Sequence, residues 1–259
     1  MRIKVIGCSV LTSLLLSLSN GAAADPTSAE TDLKDLVTKI ETKLKAGQAS
    51  AADLAPELKE FDALIAKHKG EKTDDAAQIL YMKAQLYKQV LKDNTQSDRL
   101  MAQIKQDYPD SDAARRAGLA VGSKFPDFDE KGLDGKPLSV ATYKGKVVLL
   151  DFWATWCPPC RAELPNVLKT YEAHHKAGFE IIGISLDQDK QKLTSFIEDK
   201  KMPWAQYFDG KGWGNKLAQK YGVQSIPATY LIDRQGTIIG KDLRGEELEE
   251  AVAKAVAKK

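Results

Sequence analysis

Past residue 30 the apolar positions follow two different periods. From Thr31 to about Gly118 they recur every three or four residues: Leu33, Leu36, Val37, Ile40 and Leu44 run up to Gly47, and Leu54, Leu58, Phe61 and Ile65 run up to Gly70. This spacing predicts amphipathic helices that stop at glycine, with Pro56 tolerated in a first turn. Asp74 to Asp93 carries Ile79, Leu80, Met82, Leu86, Tyr87, Val90 and Leu91. Its apolar face is broad enough for the central helix of an all-α domain. A helix from Ser97 to Tyr108, closed by Pro109, and a short one around Asp112 to Ala117 complete the set. Met82 and Met101 are expected to fill core space.

From Gly122 onward continuous apolar runs alternate with helical stretches. Phe125-Pro126-Asp127-Phe128 with Asp134-Gly135 predicts a short hairpin, and Lys146 to Phe152 a buried strand. A helix from about Pro158 to Lys176, a strand from Glu180 to Ser185, and helices over Lys190–Lys200 and Trp213–Tyr221 follow. Ala228–Ile232 and Thr237–Lys241, joined by Asp233-Arg234-Gln235-Gly236, predict an antiparallel hairpin, and Glu246–Ala257 a last helix. Such alternation indicates an α/β domain with a mixed sheet. The expected division is a leader over 1–24, a helical domain over 25–118 and an α/β domain over 119–259. Tyr108-Pro109-Asp110-Ser111 after a helical hairpin resembles the end of a tetratricopeptide-type unit. At most one or two such units fit, where a solenoid needs about three, so a plain bundle is the simpler expectation.

The chemistry concentrates at Cys157-Pro158-Pro159-Cys160, between the buried strand and the helix that follows it. A thiol at a helix N-terminus meets unpaired N–H groups and the positive end of the dipole, which lower its pKa from about 8.5 toward about 3.5–7.5. The resulting thiolate attacks a disulfide, and a second cysteine within reach resolves the mixed disulfide. A structural staple of this spacing would close too short a loop to constrain the unfolded chain much. A zinc site needs more ligands than one cysteine pair supplies, and His68, His174 and His175 have no matching spacing. No metal or cofactor is therefore expected.

Composition changes the picture at the N-terminus. Arg2 and Lys4, the apolar stretch Val5 to Leu18, and Ala22-Ala23-Ala24 before Asp25 form an export leader with a small-residue cleavage site. Val5-Ile6-Gly7-Cys8 resembles a lipoprotein box, but the longest apolar run follows Cys8 instead of preceding it. Cleavage after Ala24 is the expected event, with a periplasmic or secreted product; an uncleaved leader or a lipid at Cys8 would anchor the chain to a membrane instead. Of the 3 cysteines, only Cys157 and Cys160 would then remain. A formal net charge of +2 gives no reason to invoke nucleic acid.

Three ordered motifs carry a family resemblance: Lys144-Gly145-Lys146-Val147-Val148, Phe152 through Cys160, and Tyr221-Gly222-Val223 leading to Ile226-Pro227-Ala228-Thr229. Over Gly122 to Lys259 the chain resembles the thioredoxin superfamily, in particular its exported TlpA/ResA-like branch. The resemblance implies a thioredoxin-like fold with an N-terminal hairpin extension, preceded here by the all-α domain. It implies that Cys157 attacks, that Cys160 resolves from a buried position, and that Pro227 is a cis-proline facing the disulfide while Ile226 offers its backbone to substrate. Trp156, Pro158 and Pro159 would border that surface, with Trp153 turned inward. Trp204, Tyr207 and Trp213 are expected in the core, and Pro165 is expected to bend its helix.

Two carboxylates frame the pair by resemblance: Asp151, where thioredoxins carry a buried acid, and Glu163, where the ResA-like branch carries one. A buried acid has its proton affinity raised and can exchange a proton with the resolving thiol. The implied activity is reduction of protein disulfides, with apocytochrome c thiols among the candidate substrates and an upstream membrane thiol reductant as the electron source. The competing readings are a disulfide oxidase or isomerase, a peroxiredoxin-like peroxidase and a redox-responsive binding module. Ala154 and Leu150 stand where a peroxidase would carry threonine and proline.

Overall fold

The computed structural model describes residues 29–71 and 73–258; the expected leader and Cys8 lie outside them. The chain divides into two compact units between Gly118 and Leu119.

The first unit is helical: α1 Ala29–Lys45, α2 Ala55–Lys67, α3 Asp74–Leu86, α4 Asn94–Asp107 and α5 Asp112–Gly118. Helix α3 is central because two faces of it are buried. Ile79, Met82 and Leu86 pack with Leu33, Leu36, Ile40 and Phe61, whereas Leu80, Tyr81 and Ala84 pack with Leu100, Met101, Ile104 and Ala117. Thr73 caps α3 by accepting from the Ala76 N–H at 3.2 Å. The single helix expected to Asp93 instead changes winding at Tyr87, where Tyr87–Leu91 forms a π-helical turn closed by Lys92 at φ 57°. Asp93 then accepts from the Gln96 N–H at 3.0 Å, which starts α4 three residues earlier than the apolar pattern predicts.

The second unit carries a five-stranded sheet in the order β5-β4-β3-β6-β7. Its strands are β3 Val147–Trp153, β4 Phe179–Ser185, β5 Ala205–Phe208, β6 Ala228–Ile232 and β7 Ile238–Lys241. β3 runs parallel to β4 and antiparallel to β6; β4 and β5 are parallel, β6 and β7 antiparallel. Helices α6 Pro158–His174, α7 Lys190–Lys200, α8 Lys216–Lys220 and α9 Gly245–Ala257 complete the unit, and α6 continues through Pro165. Every residue of β3 and β4 is buried, as expected of central strands covered on both faces.

Three expectations change here. The hairpin expected at Phe125 lies further along, with β1 Glu130–Lys131 pairing antiparallel to β2 Pro137–Leu138 around Asp134-Gly135. Phe125 itself packs on Tyr221, ring centroids 4.9 Å apart. Strand β5 was not legible in the apolar pattern. The helix expected over Trp213–Tyr221 is a 3-10 turn at Gly212–Gly214 and then α8. Gly212, at φ 57°, breaks the helical path, and the Asn215 side chain starts α8 by accepting from the Leu217 and Ala218 N–H groups, both at 3.0 Å.

Candidate functional site

Strand β3 ends at Trp153 and delivers the short loop Ala154–Trp156 to Cys157, the N-cap of α6. Pro158 and Pro159 fill the exposed first turn, where a missing N–H costs the helix nothing. Cys157 and Cys160 form a disulfide with Cα atoms 5.3 Å apart. The Cys160 N–H donates to Cys157 Sγ at 3.2 Å, so a backbone donor of the helix N-terminus points at this sulfur. Both cysteines are nearly covered, Cys157 3% and Cys160 6% exposed. Cys157 Sγ also lies 3.8 Å from the Ile226 carbonyl oxygen, and the Ile226–Pro227 bond is cis. The antiparallel register sets Phe152 against Ala228 and Asp151 against Thr229, which brings the proline segment over the cysteine loop.

Behind the disulfide is a small cavity of about 10 Å³, near the least that holds one water, lined by Asp151, Cys160, Glu163, Pro227, Thr229 and Arg244 among others. Asp151 is 8% exposed. Its pKa is pushed up to about 6, first by burial, with Arg244 opposing the rise and Glu163 adding to it. Glu163 sits one helical turn beyond Cys160, and its carboxylate accepts from the Gly245 N–H at 2.7 Å and from Asn166 Nδ2 at 3.1 Å. It therefore ties α6 to the first residue of α9.

Arg244 was not foreseen. Its guanidinium donates to the Pro227 carbonyl at 2.5 Å, to Thr229 Oγ1 at 3.0 Å and to the Leu243 carbonyl at 2.7 Å. The only sequence signal for it is a lone arginine between the hairpin and the last helix.

Of the four tryptophans, Trp213 alone departs from the expectation. Trp153 is buried and donates to Gln206 Oε1 at 3.0 Å, and Trp204 and Tyr207 are core residues. Trp156 is 49% exposed, and Trp213, expected in the core, is 42% exposed and packs against it with centroids 6.2 Å apart. The turn around Gly212 holds Trp213 outside. The loops carrying the two rings join through buried polar groups. Asp187 accepts from Thr155 N–H at 3.0 Å, Thr155 Oγ1 at 2.6 Å and Ser185 Oγ at 2.8 Å. Asn215 Nδ2 donates to the Ser185 carbonyl and to Asp209 Oδ1, both at 3.2 Å.

A thioredoxin-like sheet that sets a Cys-x-x-Cys disulfide at a helix N-terminus against a cis-proline defines a thiol–disulfide oxidoreductase. Residues 121–241 match the profile of the AhpC/TSA family. The thiol-disulfide oxidoreductase ResA of Bacillus thuringiensis subsp. konkukian is 30% identical over 140 residues, which cover 54% of this chain and 79% of that protein. The ResA of Geobacillus thermodenitrificans is 33% identical over 123 residues, 48% of this chain and 69% of that one. Among solved structures, the C-terminal domain of a Bacteroides thetaiotaomicron protein assigned as a thiol-disulfide oxidoreductase superposes with a TM-score of 0.51. It is 29% identical and covers 54% of this chain and 99% of that one. The chain belongs to the ResA-like thiol–disulfide oxidoreductases.

Proposed function

We propose that this protein is an exported reductase of protein disulfides that uses Cys157 as the attacking thiol and Cys160 as the resolving one. The observation that carries the assignment of roles is the Cys160 N–H directed at Cys157 Sγ from the N-terminus of α6. That donor and the helix dipole favour a thiolate at Cys157.

In the reduced protein the Cys157 thiolate attacks one sulfur of a substrate disulfide, a mixed disulfide forms and the first substrate thiolate leaves. Asp151 takes the proton of the Cys160 thiol. The Cys160 thiolate then attacks Cys157 Sγ, expels the second substrate thiolate and leaves the enzyme disulfide. Two electrons pass from the enzyme dithiol to the substrate, and each departing thiolate gains a proton. Asp151 suits the step because burial holds its proton affinity near neutrality, within the range a proton acceptor needs. Glu163 adds a second carboxylate to the same cavity and anchors it to α9.

Substrate lies across the Ile226 backbone and the exposed faces of Trp156, Trp213, Pro158 and Pro159. Export rests on the leader pattern at residues 1–24, and the reductive direction on the family resemblance, which also makes apocytochrome c thiols candidate substrates and a membrane thiol reductant the electron source. Equilibration with glutathione tests the direction. A potential near the thioredoxin value of about −270 mV is expected, and one near about −120 mV overturns it. A Cys160→Ala variant should accumulate a mixed disulfide at Cys157; accumulation instead in a Cys157→Ala variant, through Cys160, would reverse the roles.

A further inference from the structure

The reading of Asp151 as proton acceptor leaves Arg244 unexplained. An arginine that only closed a turn would need one carbonyl. This one grips the Pro227 carbonyl, Thr229 Oγ1 and the Leu243 carbonyl while lining the cavity that Asp151, Glu163 and Cys160 share. The charged and titratable groups facing Asp151 are Glu163 and Cys160 from α6 and Arg244 from the turn before α9. The neighbouring strands set only Gly183 and Thr229 beside it in register. Two carboxylates in one small cavity repel, and a fixed cation relieves that repulsion.

We infer that Arg244 is a positioning residue that couples substrate docking to proton transfer: one guanidinium fixes the proline backbone on which substrate lies and places a permanent positive charge beside the Asp151 and Glu163 carboxylates. The coupling is covalent in its short reach. Gly245, whose N–H is held by Glu163, follows Arg244 directly in the chain, so α6, the proline segment and the acid pair meet within one turn. Because a guanidinium keeps its charge at any working pH and presents a planar fork of donors, lysine can replace the charge but not the grip on several acceptors.

This inference rests on the proton-acceptor reading of Asp151, and the experiment separates the two. Oxidation of the reduced full chain is followed from pH 5 to pH 8 with glutathione disulfide and with insulin as oxidants. The parent should lose rate below about pH 6 as Asp151 becomes protonated. In Arg244→Met the midpoint of that acid limb should move up by about one pH unit, and the ratio of insulin rate to glutathione disulfide rate should fall roughly tenfold. In Arg244→Lys the limb should stay in place while the ratio still falls.

A folded Arg244→Met protein with the parent's limb and ratio overturns the inference. If the methionine variant fails to fold, Arg244→Lys decides alone, since a parental ratio there removes the positioning role. An acid limb that survives in Asp151→Asn refutes the proton-acceptor reading itself. A limb abolished in Asp151→Asn but unmoved in Arg244→Met refutes only the role given to Arg244.

Discussion

Replacing Asp151 by asparagine should stabilise the second unit at neutral pH while impairing the exchange reaction. The carboxyl is 8% exposed in the middle of the sheet, and burial raises its pKa from 3.8 to about 6. A group whose pKa is raised on folding binds its proton more tightly in the native state. Its stabilising contribution is therefore complete below the unfolded value and is lost as pH rises through the folded value. Two pKa units at about 1.36 kcal/mol each give about 3 kcal/mol lost by pH 7, and asparagine, which carries no charge, escapes that loss. The gap between Asp151→Asn and the parent should thus be small near pH 4, open between pH 4 and pH 6, and stay constant above about pH 7. At a typical urea slope of about 2 kcal/mol per molar, the midpoint should rise by roughly 1.5 M at pH 8. All 4 tryptophans lie between Trp153 and Trp213, so fluorescence reports this unit without interference from the helical one. Both proteins are compared in the disulfide form. Equal midpoints at pH 8, or a gap that does not change from pH 4.5 to pH 8, would refute the burial argument.

Other outcomes follow from single contacts. Trp213→Ala should weaken turnover of a polypeptide disulfide such as insulin by roughly tenfold, the loss typical of an aromatic anchor, and leave glutathione disulfide reduction unchanged; equal loss on both would show that the ring serves the loop and not the substrate. Gly183→Ala would put a Cβ 2.0 Å from Gln206 Oε1, the acceptor for Trp153 Nε1, and should cost about 1–3 kcal/mol; a wild-type urea midpoint would contradict this. Arg234→Ala removes donors to the carbonyls of Gly145, Ala177, Val256 and Lys258 and should cost about 2 kcal/mol with no change in exchange rate.

The Cys157–Cys160 pair was legible because its two residues are close in sequence, and the strand and helix flanking Cys157 announce themselves by apolar period, whereas the cis-proline at Pro227 and the buried acid at Asp151 were expected from the family resemblance. What was illegible depends on contacts distant in sequence. Strand β5 is only four residues long and includes the polar Gln206, which is buried because Trp153, far away in the chain, donates to it. Nothing within 205–208 signals that partner. Trp213 was expected inside because tryptophan is mostly buried, yet Gly210 and Gly212, both at positive φ, turn the segment outward and Asn215 fixes its exit into α8. Arg244 has the same character, since its acceptors, Pro227 just before β6 and Thr229 within it, lie 17 and 15 residues away in the chain. The π-helical turn at Tyr87–Leu91 leaves the apolar count of the helix unchanged, so hydrophobic period alone could not reveal it.

The parallel pairing of β3 with β4 and of β4 with β5 explains why the aromatic pair and Cys157 share one end of the sheet. Parallel strands end on the same side, so the loops after Trp153, Ser185 and Phe208 emerge together. Burying a carboxylate there is costly unless its oxygens are bonded, and Asp187 is bonded by Thr155 and Ser185. Asn215 extends the chain of bonds through the Ser185 carbonyl to the segment bearing Trp213. A satisfied network of this kind is rigid, and rigidity is what an exposed aromatic needs in order to bind with little loss of entropy. The front of the site is therefore held by neutral donors converging on Asp187, and the rear by one cation facing two acids. Charge changes at the rear should alter when Cys160 loses its proton, whereas changes at the front should alter which polypeptides reach Cys157. Because the two frameworks are built from different side chains, one face can change its substrates while the other keeps its chemistry.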